Sequence, residues 1–252
     1  MTAGPDGLST VKLNSFFFFL FPRRNDLAKR VFLIRHGSHG DVGQRLTGRG
    51  PEGGLTARGL EEAAAAAETL ARRGVAAVYA SPRRRTQETA AAIAQRCGLT
   101  VETAEALDEI DFGDWTGRRF EDLAGDPAWD RWNSARASAC PPGGETMAAA
   151  VARAAGFIER AALSPFASSD VEKRLAANGA QRVSTSLDTN GLGDGPIACV
   201  SHCDVIRGLV AHHLGLSLDN LLRFEVAPAS ITTLDLWPGG GTVVEVNRLP
   251  LV

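Results

Sequence analysis

Val31-Phe32-Leu33-Ile34-Arg35-His36-Gly37 is the stretch from which the rest of this chain can be read. Four consecutive apolar, β-prone residues suit a strand buried on both faces, whereas a half-solvated strand would alternate apolar with polar residues. Arg35-His36-Gly37 then breaks the run and opens a polar, glycine-rich loop. Downstream, an alanine-rich helix is expected from about Thr56 to Arg73, closed by Gly74 as a natural residue past a helix end. Val75 to Ala80 reads as a second strand. Ser81-Pro82 looks like an N-cap with proline at the first helical position, starting a helix that runs to about Cys97 before Gly98.

The same alternation continues to the end of the chain. A short strand is expected near Leu99–Thr103, a tryptophan-bearing helical stretch from about Phe120 to Ala137, and a helix from about Glu145 to Leu163 after Pro141-Pro142-Gly143-Gly144. Pro196–Ser201 reads as another buried strand and Asp204 to about Leu214 as a helix. Ser230–Trp237 and Thr242–Arg248, separated by Pro238-Gly239-Gly240-Gly241, read as a terminal hairpin. Strands alternating with helices imply an α/β fold: a three-layer αβα sandwich on a mostly parallel sheet, with an antiparallel edge from the C-terminal hairpin. Residues 1–29 read as a leader and 30–252 as one domain. The polar segment at about 164–195 is long for a connection inside a compact domain, and reads as a surface insertion.

Composition narrows the function classes. With 27 basic residues against 29 acidic ones and a net charge of −2, nothing provides the basic face of a nucleic-acid binder. Four scattered cysteines (Cys97, Cys140, Cys199, Cys203) are too few for a disulfide scaffold, which suits a reducing, cytoplasmic location. Phe16-Phe17-Phe18-Phe19-Leu20-Phe21 is far shorter than the roughly 20 residues that span a bilayer, and it lacks the flanks of a secretion signal. No membrane partner is expected.

In an open α/β sheet, ligands bind beyond the carboxyl ends of the strands. Three strand ends here carry reactive groups: Arg35-His36-Gly37, Ser81-Pro82-Arg83-Arg84-Arg85 and Ser201-His202. Two imidazoles with arginines close by make a cationic pocket suited to a phosphate dianion, whose oxygens guanidinium forks match bidentately. Two other patterns lead elsewhere. Gly48-Arg49-Gly50-Pro51-Glu52-Gly53 fits G-x-G-x-x-G, but it lies well past the strand end and contains Pro51, so it does not read as a dinucleotide fingerprint. Cys199, His202 and Cys203 have no second cluster to complete a tetrahedral metal set and read as packed, reduced residues. No metal site is expected.

Leu33-Ile34-Arg35-His36-Gly37 resembles the signature of the histidine phosphatase superfamily, in its phosphoglycerate mutase-like branch. Further matches follow in the same order: Leu55-Thr56-Ala57-Arg58-Gly59, Ser81-Pro82-x-x-Arg85-x-x-x-Thr89, Leu107 through Gly117, Pro142-Gly143-Gly144-Glu145, and Val200-Ser201-His202. They span about Val31 to Val246. The resemblance implies a metal-independent phosphoric monoester hydrolase, without cofactor, that acts on a small phosphorylated metabolite as a monomer or homodimer. His36 would be the nucleophile, splitting one displacement into two through a phosphohistidine. Arg35, Arg85 and His202 would bind the phosphoryl oxygens. Glu109, selected over its neighbours Asp108 and Asp111 by register against Phe112-Gly113, would protonate the leaving oxygen and then activate water, its pKa raised by the bound dianion. Arg83 and Arg84 read as a solvated helix face.

Thr47-Gly48-Arg49 resembles the family's substrate-contacting loop, and Cys203 stands where a glycine commonly follows the second histidine. Gly37 to Leu46 contains no asparagine, although the family often has one before that loop. These departures bear on the substrate. Two other readings stay open: a mutase that returns the phosphoryl group to its substrate, and a phospho-ligand binding module without turnover. The short region around Arg118, Arg119, Trp129 and Trp132 lacks the long basic stretch of true mutases, which favours hydrolysis.

Overall fold

The computed structural model describes residues 28–51, 53–163 and 195–250. The phenylalanine run of the leader and residues 164–194 of the expected insertion lie outside the described residues. Among the described residues six strands form one sheet: β1 (Lys29–Arg35), β2 (Ala77–Ala80), β3 (Val101–Thr103), β4 (Ile197–Ser201), β5 (Ile231–Trp237) and β6 (Gly240–Arg248). β1 begins at Lys29 and so takes in the last residue assigned to the leader. The strand order is β3-β2-β4-β1-β5-β6. β1 to β4 pair in parallel, while β5 lies antiparallel to β1 and β6 antiparallel to β5, as the terminal hairpin implies.

Alternation along β1 divides its side chains between two cores. Val31 and Leu33 face the side covered by α5 (Met147–Leu163) and α6 (Cys203–Leu214), packing with Met147, Ala154, Ile158 and Leu209. Phe32 and Ile34 face the side covered by α1 (Ala57–Ala71) and α2 (Arg84–Cys97), packing with Ala67, Leu70, Ala90 and Ile93. All four are at most 1% exposed, which is why the run carries no polar residue. The three layers are helix, sheet, helix.

Two segments differ from the sequence reading. α2 begins at Arg84, with Arg83 at the cap position, rather than at Pro82. Ser81 therefore stands outside the helix; its hydroxyl accepts from the Arg83 N–H at 3.4 Å and donates into the site, to Asp108 Oδ1 at 3.1 Å. The tryptophan-bearing stretch is not one helix but two, α3 (Phe120–Leu123) and α4 (Pro127–Ser134). Gly125 at φ +81° breaks the first, and Asp126 caps the second by accepting from the Ala128 N–H, with Pro127 in the first turn. A 3₁₀ turn at Leu218–Arg223, not anticipated from the sequence, leads into the final hairpin.

Candidate active site

β2, β4 and β1 are neighbours in the sheet, so their carboxyl ends deliver the Ser81–Arg85 turn, His202 and His36 to one place. The L-T-A-R-G motif has a structural explanation there. Thr56 caps α1 by accepting from the Gly59 N–H, and its own hydroxyl and N–H both donate to the Ser38 carbonyl. Helix and loop approach so closely that a methyl on Gly37 would sit 2.5 Å from the Gly59 carbonyl oxygen. Only glycine pairs allow that approach. Glu62 accepts from both the N–H and the hydroxyl of Ser38, and Thr89 accepts from the Gly37 N–H. The loop carrying His36 is therefore tied to α1 and α2 independently of any ligand.

His36 is buried and neutral. Its Nδ1 lies 2.9 Å from the Gly37 carbonyl, which can only accept, so Nδ1 carries the hydrogen and Nε2 keeps its lone pair. Burial, followed by the charges of Arg85 and Arg35, holds its pKa well below the usual histidine value. Such an imidazole keeps a lone pair on Nε2 at any pH near neutral. Arg35 donates Nη1 to the Val226 carbonyl, while its buried Nε has no hydrogen-bond partner among the described residues. The same holds for the hydroxyl of Thr47. An anion oxygen seated beside His36 would answer unpaired donors of this kind.

Behind this floor runs a hydrogen-bonded chain. Arg85 Nη2 lies 2.9 Å from both the Gly48 carbonyl and His202 Nδ1. A guanidinium only donates, so Nδ1 of His202 accepts and the hydrogen sits on Nε2, which donates to Ser81 Oγ at 2.8 Å. Ser81 then donates to Asp108, whose carboxylate also takes Arg83 Nη2 at 2.9 Å. Burial first, then Arg85, pushes the His202 pKa well down. Its approaches of 3.7 Å to Glu109 and 3.8 Å to Asp108 are therefore contacts of a neutral ring, not ion pairs.

Glu109 accepts from the Ile110 N–H through Oε1, and its other oxygen faces His202. Burial raises its pKa to about 7, with Asp204 adding to the rise and Arg85 opposing it. The expected upward shift is thus already present without a bound dianion. Asp108 lies under arginines, and Asp111 accepts from the Gly113 N–H; of the three acids, Glu109 alone lines the cleft.

The cleft is open to solvent, with a cavity volume of about 150 Å³. Arg35, His36, Arg85, Glu109, Thr47, Gly48 and Cys203 line it; His202 stands behind Arg85, and Arg49 is turned away. Among the described residues no group of three His, Cys, Asp or Glu side chains is placed to hold a metal ion, and no helix is long and apolar enough to cross a membrane. A sequence model of the histidine phosphatase superfamily, branch 1, matches residues 31–166 and 169–249.

The chain belongs to that superfamily. It is 30% identical over 220 residues to a bifunctional protein of Mycobacterium tuberculosis, covering 86% of this chain but only 53% of that one, so it spans about half the length of that relative. A glucosyl-3-phosphoglycerate phosphatase of Mycolicibacterium vanbaalenii is 31% identical over 196 residues, 76% of this chain and 77% of that protein. Among solved structures, a mycobacterial glucosyl-3-phosphoglycerate phosphatase superposes with a TM-score of 0.67 at 26% identity, over 88% of this chain and 99% of that one. A putative α-ribazole-5′-phosphate phosphatase of Escherichia coli gives 0.67 at 25% identity, over 89% and 98%.

Two side chains of this histidine phosphatase superfamily member are placed differently from the sequence reading. Arg49 donates Nε to the Glu109 carbonyl and Nη2 to Glu145, so it braces the acid's loop instead of facing the cleft. Arg83 is not part of a solvated face: it pairs with buried Asp108, whereas Arg84 does lie outside, paired with Glu88. Cys203, by contrast, does line the cleft; its thiol contacts the Val226 carbonyl, and burial pushes its pKa up to about 11. Sequence reasoning missed His39, which lines the cleft 5.2 Å from the His36 ring, and Arg153, whose guanidinium reaches the Ala106 and Glu109 carbonyls. A third histidine three residues after His36 was the available signal for the first. Nothing local signals Arg153, which acts from α5 across 44 residues.

Proposed function

We propose that this chain is a phosphomonoesterase that carries the phosphoryl group on His36. The observation that supports this most is a neutral, buried imidazole with its Nε2 lone pair free, set among arginines, in the same cleft as a carboxyl that titrates near 7. Arg35 and Arg85 take the phosphoryl oxygens and neutralise their charge, so no metal ion is needed. His36 Nε2 attacks phosphorus while Glu109 gives its proton to the departing alkoxide oxygen. Glu109, now ionised, takes a proton from water as the water oxygen attacks the phosphohistidine, and inorganic phosphate leaves. His202 acts on the phosphoryl group through Arg85, whose fork it holds by accepting from Nη2. The named activities of the relatives, hydrolysis of phosphate esters of small metabolites, support the same class.

The test is hydrolysis of a generic phosphomonoester in the presence of a chelator, combined with trapping of an acid-labile phosphoprotein. Turnover and a trapped phosphoenzyme are expected in the wild type, and both are lost in His36→Ala. Phosphate binding without turnover would favour the mutase or binding-module readings, and turnover abolished by chelator would overturn metal independence.

A further inference from the structure

The His36 ring has two imidazole neighbours at nearly equal distance, His39 at 5.2 Å and His202 at 5.4 Å between centroids. Both nitrogens of His202 are committed, one to Arg85 and one to Ser81, and the ring is not part of the cleft lining. His39 differs on each point. It lines the cleft with Arg35, His36 and Arg85, although only 9% of its surface is exposed. The Asp41 N–H faces its Nδ1 across 3.4 Å; a backbone N–H only donates, so Nδ1 accepts and the ring hydrogen sits on Nε2. That Nε2 forms no hydrogen bond among the described residues.

The backbone fixes where this ring stands. His39 pairs with Leu55 in an isolated antiparallel bridge, and its carbonyl accepts from the Val42 N–H at 3.3 Å. The Leu55 N–H in turn donates to Glu88 of α2 at 2.6 Å. Burial, then the charge of Arg85, lowers the pKa of the ring to about 4, with Asp41 opposing and Arg35 adding. A proton added at Nδ1 would also face the Asp41 N–H, donor against donor. His39 is therefore a neutral donor near pH 7, held in place without a ligand. A buried donor is costly until an acceptor meets it, and a phosphoryl group passing to His36 brings three oxygens to this wall of the cleft.

The geometry points to His39 as a further catalytic residue, its Nε2–H donating to an oxygen of the phosphoryl group as that group moves onto and off His36. This role rests on the phosphomonoesterase reading above. It concerns the group common to all substrates, not any one leaving group.

The experiment measures kcat/KM for 4-nitrophenyl phosphate and phenyl phosphate, and inhibition by vanadate as a mimic of five-coordinate phosphorus, in the wild type, His39→Leu and His39→Gln. Leucine keeps much of the bulk without a donor, whereas glutamine offers an amide N–H close to where Nε2 stood. His39→Leu should lower kcat/KM about 10- to 100-fold, by the same factor for both esters, and weaken vanadate inhibition in parallel. His39→Gln should recover most of that loss. Should His39→Leu not fold, His39→Asn, whose shorter amide falls short of the Nε2 position, takes its place in the comparison. Unchanged kcat/KM in the variant without the donor, a loss confined to one ester, or a glutamine variant no better than leucine overturns this role while leaving phosphatase activity intact. No turnover of either ester and no phosphoenzyme in the wild type overturns the underlying reading, and the role of His39 with it.

Discussion

Glu109 shows how burial sets chemistry at the scale of one residue. A carboxyl at its ordinary value of 4.5 would be protonated in only roughly one molecule in 300 at pH 7, too rarely to serve as an acid. At about 7 it is protonated in about half, and the same group would be basic enough to take a proton from water in the proposed second step. For an alkyl phosphate, kcat/KM should therefore fall above about pH 7, approaching tenfold per unit, as Glu109 ionises. Glu109→Gln should lower the rate by about 10²–10³-fold and remove that descending limb, which a pH–rate series on both proteins will read. A limb that survives in the glutamine variant would belong to another group. On the acid side His36 imposes no limit near pH 6, because its pKa lies well below the usual 6.5. Which nitrogen of each histidine carries hydrogen is likewise set by single partners: a carbonyl for His36 and a guanidinium for His202.

At the scale of elements, the packing of α6 on α5 positions the second half of the site, because α6 starts directly after its N-cap residue His202. The contact depends on Gly208. A Cβ there would come 2.4 Å from Val151 Cγ2 and 3.3 Å from Met147 Cε. In an open helix, Gly→Ala would stabilise by about 1 kcal/mol; here the methyl must push two helices apart, a cost of roughly 1–3 kcal/mol. Gly208→Ala should therefore be neutral to destabilising by up to about 2 kcal/mol, seen as a lower urea midpoint. Adding Val151→Ala should cost less in the Gly208→Ala background than alone, because it makes room for the new methyl; a double-mutant cycle measures that coupling. Additive effects would show that the helices do not meet as described. Beside the cleft, backbone hydrogen bonds from Leu46 to Arg118, Gly117 to Leu46 and Phe120 to Gln44 likewise join loops more than 70 residues apart.

For the whole molecule, the site carries a stability cost in acid. His36 and His202 are fully buried with depressed pKa values, so below about 6.5 the unfolded chain binds two protons that the folded chain refuses. Glu109 acts oppositely: raised to about 7, it holds a proton when folded that the unfolded chain releases above about 4.5. His39 and His213, each lowered to about 4, act in the same sense as His36 and His202, so at least one net proton is taken up on unfolding between about pH 4.5 and 6.5, and stability drops as the pH is lowered there by at least about 1.4 kcal/mol per unit. Urea midpoints from pH 7 to 5 will check this. In His202→Asn the slope should flatten, whatever the effect on absolute stability; an unchanged slope would mean that the ring is already charged in the folded state.

The sequence by itself determined the layering and the address of the site. Val31–Ile34 and Ile197–Val200 are apolar without interruption because both faces of their strands are covered, and that local pattern needs no knowledge of the neighbours. The residues just past those strands must then share one end of the sheet. What lies between elements was decided by the tertiary structure alone. Arg49 and Arg83 could each have faced the cleft or solvent, and turned instead toward carbonyls and carboxylates brought from 25 or more positions away. The hydroxyl of Ser81, a helix cap by local rule, is shared between the Arg83 N–H and two distant partners, His202 and Asp108. Periodicity records which face of an element is buried. Hydrogen-bond partners are chosen through space, and the chain order does not encode that distance directly.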